Sequence, residues 1–412
     1  MNLKKKFIAL FVLVICVLPL VGFSCAAFSE KEIAVGKFYS DETKLLSISH
    51  RGDTANYPEN SLKAVESAFS KGADFVSVSL DKTSDGVFYL SERESLGNIC
   101  NAPYEKLSEI SSDEIGSYRL FDVYGNETEF ALTSLEELLD NTDSEDGIIL
   151  DILSEDKDAV YDILSENNAL YRVIIRTDDS CSRLAEWLEA KPEKVYSICV
   201  YGGNIIFSTA SAYNNASAEE MPAVQYSSKN YFNVAYGDFF ANRYLLSGKV
   251  RAVAATYSPD LCGQRADGGD GWNELINKGY SVIETNNIEA FTAYRDETVR
   301  LEKELAALTL KADEADKSVY SQVSLDNLEK AMAECEKLLS SSVFSLGEAQ
   351  QAYSRLLFAL EDMKISTGEV DTRGALNVTA GKLTATVLVG AALLCGQIYV
   401  YKMRKAKKEK QD

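Results

Sequence analysis

The only histidine of the chain stands at the end of a short apolar run, Leu46-Ser47-Ile48-Ser49-His50-Arg51-Gly52. A loop follows, and then Tyr57-Pro58-Glu59-Asn60 opens an amphipathic segment. An imidazole moves protons near neutral pH, and a guanidinium grips a phosphate through two parallel hydrogen bonds. Placed at the C-terminal end of a buried strand, His50 and Arg51 would face a ligand together. The competing reading is a histidine that only packs in the core. Glu59, Asp81, Glu92 and Asp151 are the carboxylates whose positions suit a role beside that pair.

Such groups need a scaffold that carries strand ends to one place. Strand-like segments fall at 45–50, 74–81, 147–153, 172–177, 194–200, 223–226, 250–256 and 280–285, with helical patterns at 61–70, 134–139, 157–165, 182–189 and 272–278. In the first helix Leu62, Val65 and Phe69 form one apolar face, and Gly72 ends it. This alternation predicts an α/β fold, a (β/α)8 TIM-type barrel over residues 40–297, with functional groups at the C-terminal strand ends. The stretch 201–247 is the least patterned part of it.

His-Arg-Gly, a short gap, Pro-Glu-Asn, then Gly72-Ala73-Asp74 and Asp85-Gly86-Val87 resemble the opening of the glycerophosphodiester phosphodiesterase family. A weaker resemblance returns in Gly279-Tyr280-Ser281-Val282-Ile283-Glu284-Thr285-Asn286. The resemblance implies the same barrel, hydrolysis of a glycerophosphodiester, two histidines as acid and base, and a divalent cation, Ca²⁺ or Mg²⁺, on carboxylates. A phosphodiester transition state gathers charge on its oxygens, and a cation meets that charge. The chain departs from this pattern. The family's Glu-x-Asp pair falls on Ser77 and Ser79, its second histidine on Glu92, the aspartate after it on Arg93, its third-strand glutamate on Asp151, and a later lysine on Leu153. The catalytic candidates are therefore His50, Arg51 and Glu92. Strand alternation places Phe75, Ser77, Ser79 and Asp81 on one face, which leaves a shifted cation site of Glu59, Asp81 and Asp151, with Glu92 as proton donor.

Beyond the barrel, apolar residues recur every three or four positions around Leu301–308, Leu325–339 and Leu346–Met363. They predict a small three-helix bundle over 298–364, with Ser345 and Glu348 spaced as a capping box. The bundle resembles a helical module found in various architectures of bacterial surface proteins. A spacer is the plainer reading. Residues 365–382 read as a linker.

The two ends address the chain to a membrane. Lys4-Lys5-Lys6, an apolar stretch and small residues up to Ala27 read as a signal peptide, residues 1–27. Residues 383–401 carry no charge and are long enough for a transmembrane helix across a core of roughly 30 Å. Lys402, Arg404, Lys405 and further lysines form a basic cytoplasmic tail, 402–412. These features predict a single-pass protein of a bacterial cell membrane with an extracellular ectodomain. The net charge of −21 is more negative still once the basic ends are set aside, which excludes nucleic acid as a partner. Widely spaced cysteines suit neither a zinc site nor a disulfide scaffold, though one or two bridges fit the first domain.

Three functions remain open on the residues alone. One is a phosphodiesterase with a rebuilt site. Another is a degenerate barrel, a pseudoenzyme that binds a glycerophosphate-bearing ligand. The third is a structural ectodomain serving a protein partner.

Overall fold

The computed structural model describes residues 33–40, 43–92, 96–202, 223–227, 251–257 and 266–363, with backbone alone at 33, 201–202 and 223–227. The signal peptide, the linker, the transmembrane helix at 383–401 and the basic tail expected from the sequence lie outside them. Among the described residues no helix is long and apolar enough to cross a membrane.

The strands are β1 (Leu46–His50), β2 (Phe75–Lys82), β3 (Phe88–Leu90), β4 (Gly147–Asp151), β5 (Val173–Arg176), β6 (Tyr196–Gly202), β7 (Ala223–Ser227), β8 (Arg251–Ala255) and β9 (Val282–Thr285). All but β3 pair in parallel in the order β1-β2-β4-β5-β6-β7-β8-β9, and β9 pairs again with β1, which closes the barrel. β3 folds back antiparallel on the overhanging end of β2, around the turn at Gly86. All eight parallel strands lie within or beside the segments read from the sequence, including Ala223–Ser227 in the poorly patterned stretch.

Side chains alternate in and out along each strand. Val76, Val78, Ile148, Leu150, Val173 and Ile175 point outward into a core shared with the surrounding helices. Ile48, Phe75, Ile149, Ile174, Ile198, Val253 and Val282 fill the interior. Ala34, Val35 and Phe38, at and just past the short helix Ile33–Gly36, join that interior cluster. Arg251 holds the segment by donating to the carbonyl oxygens of Phe38 (2.7 Å), Ser40 (2.9 Å) and Thr43. Gly147 makes room for this filling, because a Cβ there would lie 2.3 Å from the Phe75 ring. Two residues above this layer, the same inward-facing rows carry His50, Ser77, Asp151, Arg176 and Glu284. The apolar filling is therefore the floor of a polar mouth.

Serine side chains cap several of the barrel helices. Ser61, Ser134 and Ser180 each accept a hydrogen bond from the backbone N–H three residues on. A disulfide joins Cys181, at the start of helix Cys181–Glu189, to Cys199 in β6.

The chain divides into two compact units at Glu297/Thr298, with Ser342–Leu346 belonging to the first. In the second, residues of helices Ile288–Asp313, Gln322–Leu339 and Leu346–Glu361 share one apolar cluster that includes Leu305, Leu328, Cys335, Leu356 and Leu360. That cluster makes the unit a three-helix bundle.

Candidate active site at the barrel mouth

The His-Arg-Gly loop is shaped by backbone geometry before any chemistry. Arg51 adopts φ 59° and Gly52 φ 86°. A Cβ on Gly52 would lie 2.6 Å from the Ala64 backbone, so only glycine lets the loop cross the first helix so closely. Asp53 fastens the loop by accepting from Asn56, Ser67 and Lys71. Burial works against its charge, but those hydrogen bonds outweigh it and hold its pKa low. Asn60, also left-handed at φ 54°, accepts from the N–H of Ser79 and donates its own N–H to Arg51 O. Much of the motif is therefore a clasp between β1, β2 and helix Leu62–Ser70.

His50 is 8% exposed, and its ring lies flat on Tyr257 with centroids 3.5 Å apart. Its Nδ1 is 3.0 Å from Asn286 Oδ1, so Nδ1 carries the proton in this arrangement and Nε2 is left as the acceptor. Asp267 orients the asparagine by accepting from the Asn286 N–H and from the Thr256 and Thr285 hydroxyls. Burial, with Arg51 and Arg176 nearby, lowers the His50 pKa to about 3, against the opposing pull of Asn286 and Asp151. The imidazole is neutral at physiological pH and a weak base.

This shift has a measurable consequence. The unfolded chain takes up the His50 proton near pH 6.5, whereas the folded chain refuses it until about 3. Stability is complete above the unfolded value and falls with pH below it. From pH 7 to 5 the loss should be about 2 kcal/mol. Urea unfolding at the two pH values measures it, and His50→Gln should remove most of the difference.

Arg51 is not free to wait for an anion. Its Nη1 donates to both Glu59 oxygens at 3.0 Å, and its Nη2 pairs with Glu92. Burial opposes the charge, but Glu59 and Glu92 outweigh it and raise the pKa. The buried Nε has no hydrogen-bond partner among the described residues. Glu92, expected as a proton donor, is thus held as an ion-pair partner of Arg51.

Deeper in the mouth lies a group that the sequence reading missed. Arg176, 5% exposed, donates from Nε and Nη2 (2.7 Å) to Asp151 and from Nη1 (2.7 Å) and Nη2 (2.8 Å) to Glu284. Ser77 Oγ donates to the same Glu284 at 2.6 Å. Burial opposes the Arg176 charge, and Asp151 and Glu284 hold its pKa well above the ordinary value. Asp151 and Arg176 are register partners on β4 and β5, while Glu284 reaches in from β9.

The shifted cation site does not assemble. Glu59 goes to Arg51, Asp151 goes to Arg176, and Asp81 accepts from the Lys82 N–H on the β2–β3 hairpin. Among the described residues no group of three His, Cys, Asp or Glu side chains is placed to hold a metal ion. Nor does the donor set suit one, since the Asp151 and Glu284 oxygens already accept from a guanidinium and a hydroxyl. A divalent cation needs those oxygens for itself.

Residues 50–196 match the model of the Glycerophosphoryl diester phosphodiesterase family. A solved glycerophosphoryl diester phosphodiesterase from Parabacteroides distasonis is 20% identical with a TM-score of 0.54, over 65% of this chain and 93% of its own. A glycerophosphodiester phosphodiesterase from Agrobacterium tumefaciens str. C58 is 15% identical with a TM-score of 0.47, over 60% of this chain and 99% of its own. No curated protein matches the chain. The Parabacteroides likeness is one of fold, and it agrees with the closed barrel described above.

Proposed function

We propose that the chain is a glycerophosphodiester phosphodiesterase-like protein of a bacterial cell surface. Its barrel receives a glycerophosphodiester, or another glycerophosphate-bearing ligand, and hydrolyses it slowly or not at all. The observation that carries this reading is the state of the acid–base groups. The single histidine is neutral, buried and weakly basic, and Glu92, where the resemblance places the second histidine, is spent on Arg51. The match of residues 50–196 and the loop that presents His50 and Arg51 support the ligand class. The test is hydrolysis of a glycerophosphodiester with Ca²⁺ or Mg²⁺ present and absent. Turnover in the ordinary enzyme range that is lost in His50→Ala would overturn the reading.

The surface location rests on the apolar run 383–401 with its basic tail and on the leader-like N-terminus. The Cys181–Cys199 disulfide agrees with an oxidising compartment. Truncation before Leu383 should release the protein from membranes into the medium. A truncated form that still fractionates with membranes would refute the C-terminal anchor.

A further inference from the structure

We propose that the Arg176 guanidinium is a built-in cation of the barrel mouth. It takes the coordination that a divalent metal would need, and a divalent-cation site in Asp151 and Glu284 stays latent until it is removed. This goes beyond the reading of turnover above, because cation binding and hydrolysis are separate measurements.

Three strands bring the group together. β5 supplies Arg176, β4 supplies Asp151, and β9 supplies Glu284, each on the inward row directly above an apolar residue of the barrel floor: Ile174, Ile149 and Val282. Each carboxylate accepts through both oxygens from the one guanidinium. Ser77 Oγ adds a hydrogen bond to Glu284 Oε1. Hard divalent cations bind through oxygen lone pairs, six or more in the case of Ca²⁺. Here each of the four oxygens already accepts from an N–H or O–H donor. A doubly charged ion beside a fixed guanidinium would also meet like-charge repulsion where little water screens it. The two cations therefore exclude each other. Arg176 holds its place through the chain and does not exchange with solvent.

The test uses calorimetric titration of the full chain with CaCl₂ and with MgCl₂. The acidic surface collects cations diffusely, so the informative comparison is with Asp151→Asn. Wild type and Asp151→Asn should bind alike. Arg176→Met should gain cation affinity by about tenfold or more, and adding Glu284→Gln should abolish the gain. Arg176→Lys, which keeps the charge, should behave as wild type. Melting temperature in EDTA against millimolar Ca²⁺ gives a second readout, flat for wild type and rising with Ca²⁺ for Arg176→Met. Wild-type binding that falls about tenfold in Asp151→Asn would overturn the proposal. So would a folded Arg176→Met with no gain. If Arg176→Met does not fold, Arg176→Gln takes its place in the same titration, and a folded Arg176→Gln with no gain in cation affinity would overturn the proposal.

Discussion

Arg176→Met is expected to destabilise the barrel by about 3–5 kcal/mol near neutral pH in the absence of divalent cations. The expectation rests on what the substitution strands rather than on what it removes. Glu284 is fully buried and Asp151 is partly buried, and both depend on Arg176 for charge balance. Without it, both carboxylates lose the guanidinium they share, and Glu284 keeps the hydrogen bond from Ser77. An uncompensated buried charge is costly. The cost should therefore shrink when the stranded charges go too. Arg176→Met with Glu284→Gln and Asp151→Asn should recover more than half of the loss, since removing a whole buried ion cluster is often close to neutral. The non-additivity itself is the signature of one network. Urea unfolding of the single and triple variants measures it, provided the denaturant slopes agree. A loss below about 1 kcal/mol for Arg176→Met would mean that the mouth is far wetter than its burial indicates.

The barrel was legible because parallel strands buried on both faces are written as short apolar runs bounded by turn residues. The run read at 147–153 is the strand Gly147–Asp151, and the run at 172–177 is Val173–Arg176. The three-residue strand Phe88–Leu90 carries too few residues to show a period, so only its pairing with β2 reveals it. The mouth was legible in part. His50 and Arg51 do stand at a strand end, and Ser77 does share the inward face with Phe75. The signal for the rest was present: Arg176 and Glu284 are charges embedded in the apolar runs Val-Ile-Ile-Arg and Val-Ile-Glu-Thr, two residues on from inward-facing Ile174 and Val282. Their pairing was not legible, because 108 residues separate them and only the closure of the sheet brings them together. The Cys181–Cys199 bridge hid for the same reason, as spacing alone does not pair cysteines.

Restoring catalysis should require removing a residue as well as adding some. General acid–base catalysis is typically worth 10²–10⁴-fold, and a metal adds several kcal/mol of charge stabilisation. A barrel lacking both should fall short of a working enzyme by on the order of 10⁴-fold or more, at about 1.4 kcal/mol per factor of ten. The obvious repair is Ser77→Glu, Ser79→Asp and Glu92→His, the residue types that the resemblance implies at those positions. In this barrel that repair alone should fail. Ser77 sits 2.6 Å from Glu284 within a fully buried contact, so a glutamate there adds a third carboxylate to Asp151 and Glu284 while Arg176 still occupies the space between them. Glu92→His also frees Arg51 from one of its two carboxylates, which opens that guanidinium to a phosphate. The combination of those three changes with Arg176→Met should bind Ca²⁺ and gain cation-dependent hydrolysis of a glycerophosphodiester. The three without Arg176→Met should gain little, and Arg176→Met alone should gain cation binding without turnover. These groups act as a unit, so their effects are not expected to add. The comparison is initial rate against Ca²⁺ concentration for the four proteins at one pH. Activity in the triple variant that rises with Ca²⁺ while Arg176 is intact would show that the guanidinium does not stand in the cation's place.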